Sequence, residues 1–348
     1  MEEKRSKGMS DTLLHDSAGR LFATQSTAAV VNAAEAGEWP AALWRAVEDA
    51  GFLDVLAAAD GFSLETLPDA CTILRVAARH AAPIPLLEPM LARWLVAGAG
   101  LELTADPVAI APTERHDRVE IDAAGRVSAS LYAVPWAGSC KRLVAVSNDR
   151  IALAELPETA GGTSLAGELQ GGIVLERSPA RVAALPAGID RELVYRLGAL
   201  GRAAQMVGAM EAALALATDY AGTRIQFGRT LAKLQVIQHQ LAIMGEEVAA
   251  AAVAVESAAE EVARGGDVLL AVAAAKIRAG EAAGKAAEIA HQVHGAIGFT
   301  HEHRLHQFTR RLWSWRDEFG TESEWSLELG RRMGRAGADA LWPMVVGQ

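Results

Sequence analysis

Three groups of residues in the last third of the chain could hold or move charge. Arg224 follows Gly222 at the end of a long helical pattern, and Phe227-Gly228 come just after it. A guanidinium at that place can hold a diphosphate through two parallel hydrogen bonds, which a lysine cannot mimic. About seventy residues on, Gln292 opens a stretch that reads QVHGAIGFTHEHRLHQFTRR. There an alanine-rich helix breaks at Gly295-Ala296-Ile297-Gly298. Glycines let the backbone turn through positive φ and let another group approach it closely. Gln292 can donate to phosphate oxygens, and the small Gly295 and Ala296 leave the main chain accessible to them. Thr321, after Gly320, starts a last helix, and a helix N-terminus suits an anion. His301, His303 and His306 with Glu302 are metal-ligand types. No clean pairing of two histidines with a carboxylate appears, so no metal is expected.

Composition narrows the classes. A chain of 348 residues accommodates two or three subdomains and a large core. Hydrophobic residues make up 51%, yet no apolar run is long enough to span a bilayer. The net charge of −10 argues against a nucleic-acid partner, which needs a basic face. The pairs Arg310-Arg311 and Arg331-Arg332 suit anionic small molecules or carboxylates at a subunit contact instead. Cys71 and Cys140, far apart, match a reducing cytoplasm and give no disulfide framework. The N-terminus lacks the apolar core of a secretory signal, and Met9 could be a second start. Residues 1–9 are therefore expected as a leader or disordered segment.

The elements that must position these groups follow from periodicity. Residues 10–103 read as helical: Asp11 as a cap, Pro40 before Leu43, Trp44 and Val47, and Ser63 or Glu65 opening a helix with Leu67, Ala70 and Leu74 on one face. Residues 104–189 change to short alternating apolar runs with turns at Asp122–Gly125 and Ser147–Asp149, which predicts a small β domain of about seven strands. Residues 190–348 are again helical. Asp190 caps one helix, Leu234 to Val255 mark a second, Asp267 to about His294 a third, and two more are expected near 302–315 and 321–333.

Arg224-x-x-Phe227-Gly228, Gln292-x-x-Gly295-Ala296-x-Gly298-Phe299 and Gly320-Thr321 occur in that order and at separations that resemble the acyl-CoA dehydrogenase family of flavoproteins. The resemblance implies an α+β, mainly α fold: an N-terminal helical domain walling the acyl pocket, a middle β-barrel covering one side of the flavin, and a C-terminal four-helix-type bundle. It implies FAD, with Arg224 reaching its pyrophosphate, often across a dimer interface. Phe227, Leu231 and Gln235 fall on positions that pack on or bond to the nucleotide half. Gln292, Gly295 and Ala296 match a second contact, offered to the neighbouring subunit's FAD, and Thr321 matches a contact to the flavin's sugar and phosphate chain. The middle domain departs from the family. No Tyr-x-x-Thr-Glu or Gly-Ser-Asp is recognisable, and Val134 to Ser139 is the nearest remnant of the Trp-x-(Thr/Ser) that touches the flavin, with Trp136 its indole.

The family reaction removes a proton from the carbon α to a thioester, so a carboxylate with a raised pKa must stand there. At the position immediately before Gly320-Thr321, where most members carry that glutamate, this chain has Phe319. At the alternative position on the first long C-terminal helix the count falls near Gly198. Glu318, one residue early, is the candidate base, ahead of Asp317 and Glu322. The resulting expectation is an FAD-dependent acyl-CoA dehydrogenase of bacterial fatty-acid or steroid catabolism. It would be cytoplasmic, paired as dimer or tetramer with itself or a paralogue, and would pass electrons to an electron-transfer flavoprotein. Two alternatives stand beside it: a non-catalytic FAD-binding partner subunit of a heteromeric dehydrogenase, and a flavin monooxygenase on the same fold.

Overall fold

The computed structural model describes residues 2–58, 61–157 and 161–346. Five helices come first: α1 (Glu2–Gln25), α2 (Ala28–Glu35), α3 (Ala41–Asp49), α4 (Leu67–Arg79) and α5 (Leu87–Gly98). Strands β1 (Val108–Ala111), β2 (Arg118–Ile121), β3 (Arg126–Pro135), β4 (Arg142–Val146), β5 (Arg150–Glu155), β6 (Gly161–Thr163) and β7 (Leu169–Ala184) follow. The rest is α6 (Arg191–Thr223), a hairpin of β8 (Ile225–Gln226) and β9 (Arg229–Thr230), then α7 (Gln235–Ala263), α8 (Val268–His294), α9 (Leu305–Asp317), α10 (Glu322–Ala336) and α11 (Leu341–Val346). The fold is α+β and mainly helical.

The seven-stranded sheet runs β1-β4-β5-β7-β3-β2, with β6 beside β7; β1 and β4 are parallel and the other pairs antiparallel. The sheet curls, and among the described residues β1 and β2 end its hydrogen-bonded path. Its two faces bury against different partners. Leu143 and Ala145 of β4 point into a small core inside the curl with Val127, Leu131 and Ile173. Val144 and Val146 point the other way, into the large helical core. Strand periodicity of two thus welds the sheet to the helices.

Helix caps set the bundle's register. The Asp190 carboxylate accepts from Leu193 N at 2.8 Å and that of Asp267 from Leu270 N at 3.1 Å. Alanines on α6, α7 and α8 let the axes close up, and glycine does so most severely at Gly208. A Cβ there would lie 1.9 Å from the Arg75 carbonyl oxygen on α4.

Two expectations are corrected. The backbone is helical from Glu2, and Asp11 lies within that helix instead of capping it. Residues 2–10 contain no proline to stop the helix, and their Glu, Lys and Arg favour it. The helix expected from Ser63 or Glu65 starts at Leu67, because Pro68 occupies its first turn, where its missing N–H has no cost.

Since a backbone oxygen cannot yield as a side chain can, Gly208→Ala should destabilise the chain by about 3 kcal/mol. Urea unfolding measures this, and a loss within experimental error of zero would contradict the described α4–α6 contact.

Candidate functional site

Arg224 ends α6 and leads into a hairpin whose two turn residues, Phe227 (φ 52°) and Gly228 (φ 74°), are both left-handed, the geometry of a type I′ turn. The hairpin closes where Leu231 N donates to the Arg224 carbonyl at 2.9 Å. Among the described residues the Arg224 guanidinium has no ion pair or hydrogen bond. Phe227 is 86% exposed, Gln235 is exposed at the start of α7, and Leu231 is half-buried against the helical core. A free guanidinium beside an uncovered aromatic ring fits a diphosphate and its attached base.

Gly295 (φ 63°) ends α8, and nothing lies within 4 Å of where its Cβ would be. Gln292 and Ala296 are exposed beside it. Tyr220, one turn before Arg224, stacks on His294 at 4.7 Å, so both motifs sit at the same end of the bundle. The histidines here brace that end. His291 lies against Phe299 at 4.2 Å and bonds to Thr309 Oγ1 at 2.9 Å, while His294 donates from Nδ1 to the Ala290 carbonyl at 2.7 Å. Burial lowers the pKa of both. Among the described residues no three metal-ligand side chains gather.

Thr321 is engaged by its own helix. Its N–H and hydroxyl donate to the Glu324 carboxylate at 2.8 and 3.1 Å, and its Oγ1 accepts from Glu324 N. This capping box, with Glu322 in the same turn, places carboxylates where a phosphate would need open amides. Thr321's donors are thereby engaged within the chain, whereas the Arg224 guanidinium and the backbone at Gly295-Ala296 are open.

The two positions at which a base was sought touch each other. Phe319 (φ 53°) is fully buried, and a Cβ on Gly198 would meet its ring at 2.2 Å. One turn along α6, Leu87 of α5 seats on Gly201 in the same manner. These two contacts fill the gap between α5, α6 and the α9–α10 turn. The turn itself is fixed by Lys276 of α8, whose Nζ donates to the carbonyls of Arg316 and Gly320, both at 2.7 Å, and by Trp325 Nε1 bonded to the Phe319 carbonyl at 3.0 Å.

Glu318 lies beside this contact and is buried. It accepts from Arg202 Nε at 2.6 Å and from Ser314 Oγ at 3.3 Å. Arg202 also pairs with Glu88 of α5 and donates to Gln205 Oε1 at 2.5 Å, and Glu168 joins through Arg311 and Trp315 Nε1. Three buried carboxylates thus crowd two guanidiniums. Burial, which outweighs Arg202, with Glu168 and Glu88 adding, pushes the Glu318 carboxyl up to about 7. Burial likewise raises Glu88.

Sequence reasoning missed Thr113-Glu114. They follow β1 across the cis Ala111-Pro112 bond, in the last two places of a Tyr-x-x-Thr-Glu pattern whose first place is Ile110. The Thr-Glu pair after a β-rich run was the available signal; the missing tyrosine hid it. Their amides both donate to Asp117 Oδ2 at 2.9 Å, and burial with Asp117 nearby raises Glu114 to about 7. Trp136 (φ 61°) is buried and lines a cleft of 390 Å³ with Ser139, Pro83, Glu168 and Arg311, where the three regions of the chain meet.

Comparisons with known proteins agree with this geometry. Residues 196–324 match the family described as "Acyl-CoA dehydrogenase, C-terminal domain". A 3-sulfinopropanoyl-CoA desulfinase of Paraburkholderia xenovorans (strain LB400) is 40% identical over 33% of this chain and 30% of its own length. Acyl-CoA dehydrogenase IpdE2 of Mycobacterium tuberculosis is 35% identical over 31% of this chain and 33% of its own. The chain thus matches about a third of the length of these relatives. Among solved structures, the Tcur3481-Tcur3483 steroid ACAD G363A variant superposes with a TM-score of 0.83 at 25% identity, over 95% of this chain and 99% of that one. The ChsE4-ChsE5 complex from Mycobacterium tuberculosis gives 0.77 at 19% identity, over 94% and 98%, a likeness of fold.

Gly198→Ala should cost about 1–3 kcal/mol through overpacking. In a Phe319→Ala background that cost should shrink, because the clashing ring is gone. Additive losses in a double-mutant cycle of urea unfolding would contradict the contact. For Glu318 the sign runs one way. A carboxyl raised from 4.5 to about 7 on folding adds stability that is complete below pH 4.5 and lost as the pH rises through 7. Wild type should therefore lose stability relative to Glu318→Gln across that window. A difference independent of pH would show that Glu318 does not titrate there.

Proposed function

We propose, on the premise that the chain belongs to the acyl-CoA dehydrogenase family, that it serves the FAD-dependent α,β-dehydrogenation of an acyl-CoA thioester as a cofactor-clamping partner subunit, with the carboxylate base supplied by a paralogous chain. The observation that carries this reading is the Phe319–Gly198 contact: both places where the family resemblance puts a base are taken by a ring packed on bare backbone. Arg202 with Glu88 and Leu87 on Gly201 add to it by filling the space an acyl chain would need. When bound, FAD would accept the hydride from the thioester's β-carbon. This chain's part is to hold the diphosphate with Arg224, Gln292 and the open backbone at Gly295-Ala296. Two-chain complexes among the structural neighbours support a heteromer, and an electron-transfer flavoprotein is the proposed electron acceptor. No helix among the described residues is long and apolar enough to cross a membrane, which agrees with action in the cytoplasm.

A second reading has one observation in its favour. Glu318, raised to about 7, has the proton affinity of a general base, and in that reading this chain performs the dehydrogenation by itself.

Purification of the chain alone and together with a co-expressed neighbouring paralogue separates the two. The partner reading expects flavin absorbance only in the co-purified complex, a loss of roughly tenfold or more in flavin occupancy in Arg224→Ala, and little change in turnover in Glu318→Gln. A yellow, self-assembled chain that oxidises an acyl-CoA and stops doing so in Glu318→Gln would establish the second reading instead.

A further inference from the structure

Of the two arginine pairs that stand out in the sequence, Arg310-Arg311 is engaged inside the fold. Arg310 pairs with Glu35 and donates to the Leu165 carbonyl, and Arg311 is buried against Glu168. Arg331-Arg332 has another setting. It borders a groove of 750 Å³ between α10, the first turns of α6 and α8, and the loop carrying Arg115. Five arginines face two carboxylates there, Glu324 and Glu328, so the groove is cationic in a chain of net charge −10.

Three of the arginines are fixed. Arg332 grips Asp267 with both terminal nitrogens. Arg115 pairs with Glu328 and lies over the rings of Tyr195 and Trp325 at 5.0 and 5.1 Å. Arg196 reaches the same Glu328 at 3.4 Å, which leaves its Nε buried and without a partner. Glu324 is hydrogen-bonded by Thr321 and, among the described residues, forms no ion pair with these arginines. The remaining two, Arg331 and Arg335, lie four residues apart on one face of α10. Among the described residues neither guanidinium has an ion pair or hydrogen bond. Like charges at that spacing repel until something neutralises them.

We propose that this groove is a second anion site, distinct from the Arg224 clamp, that takes a diphosphate-bearing ligand between Arg331 and Arg335, with the half-buried Arg196 as its floor. Guanidinium forks match phosphate oxygens two at a time, and two free forks on one helical face match two linked phosphates better than a single carboxylate. The volume is that of a small-molecule site, large enough for a nucleotide. The proposal concerns this chain's own surface and stands whether or not the chain is a partner subunit.

Titration calorimetry of the full chain with inorganic pyrophosphate tests it, with ADP and coenzyme A as parallel probes to tell a simple diphosphate from the nucleotide end of a thioester. Pyrophosphate should bind, more weakly as salt rises. Arg224→Ala, which removes the other candidate diphosphate site, should retain this binding, and adding Arg331→Ala/Arg335→Ala to it should weaken it by roughly tenfold or more. Both α10 residues are exposed, and an unchanged melting temperature checks that the double variant folds. Absence of binding in Arg224→Ala, or equal binding once Arg331→Ala/Arg335→Ala is added to it, would overturn the proposal. Absence of binding together with failure of Arg331→Ala/Arg335→Ala to assemble with a paralogue would overturn it in favour of an acidic protein contact.

Discussion

The α9–α10 turn places a phenyl ring against a helix that has no side chain to receive it, and much of the site follows from that contact. Phe319 holds a left-handed backbone, which an aromatic residue adopts only under constraint. Here the constraint is visible: Lys276 gathers the carbonyls on both sides of the turn, and the Trp325 indole bonds to Phe319 itself. With the ring buried on Gly198, Glu318 reaches Arg202, one turn on along α6, whose guanidinium also lies 5.9 Å from the Phe319 ring. The phenyl thus takes bare backbone and the carboxylate takes the guanidinium, one turn apart on the same helix face.

That division accounts for the buried charges. Glu318 leaves the turn next to Glu88 from α5 and Glu168 from the sheet, and only Arg202 and Arg311 are there to meet them. Buried ion pairs of this kind contribute little net stability, but removing one partner typically costs about 3–5 kcal/mol because the other is left unpaired. The network thus ties the three regions of the chain to one another more than it strengthens any of them. The proposed dinucleotide clamp lies elsewhere, at the end of the bundle, where Arg224 and Gly295 are exposed.

Much of this was legible in the sequence. Order and spacing of Arg224, Gln292 and Gly320-Thr321 carried the family resemblance, and strand alternation around Leu143 to Val146 located the sheet. Absence of a glutamate at 319 and near 198 could be read directly. Their mutual contact could not, because it joins residues more than a hundred apart and depends on a positive φ that a phenylalanine does not advertise. Thr321 matches a family contact to the flavin's sugar and phosphate chain and starts a helix; its capping box with Glu324, three residues on, was not read from the sequence. Thr113-Glu114 was overlooked because the tyrosine that flags the pattern is Ile110 here.

The claim that this chain brings no working base is tested most directly by the base's own step, apart from any redox chemistry. Hydrogen exchange at the α-carbon of an acyl-CoA thioester in deuterated water, followed by NMR, reports proton abstraction alone. The account predicts that the purified chain leaves the α-hydrogens at the uncatalysed rate, while the complex with a paralogue exchanges them. Exchange catalysed by the chain alone, and abolished in Glu318→Gln, would contradict it.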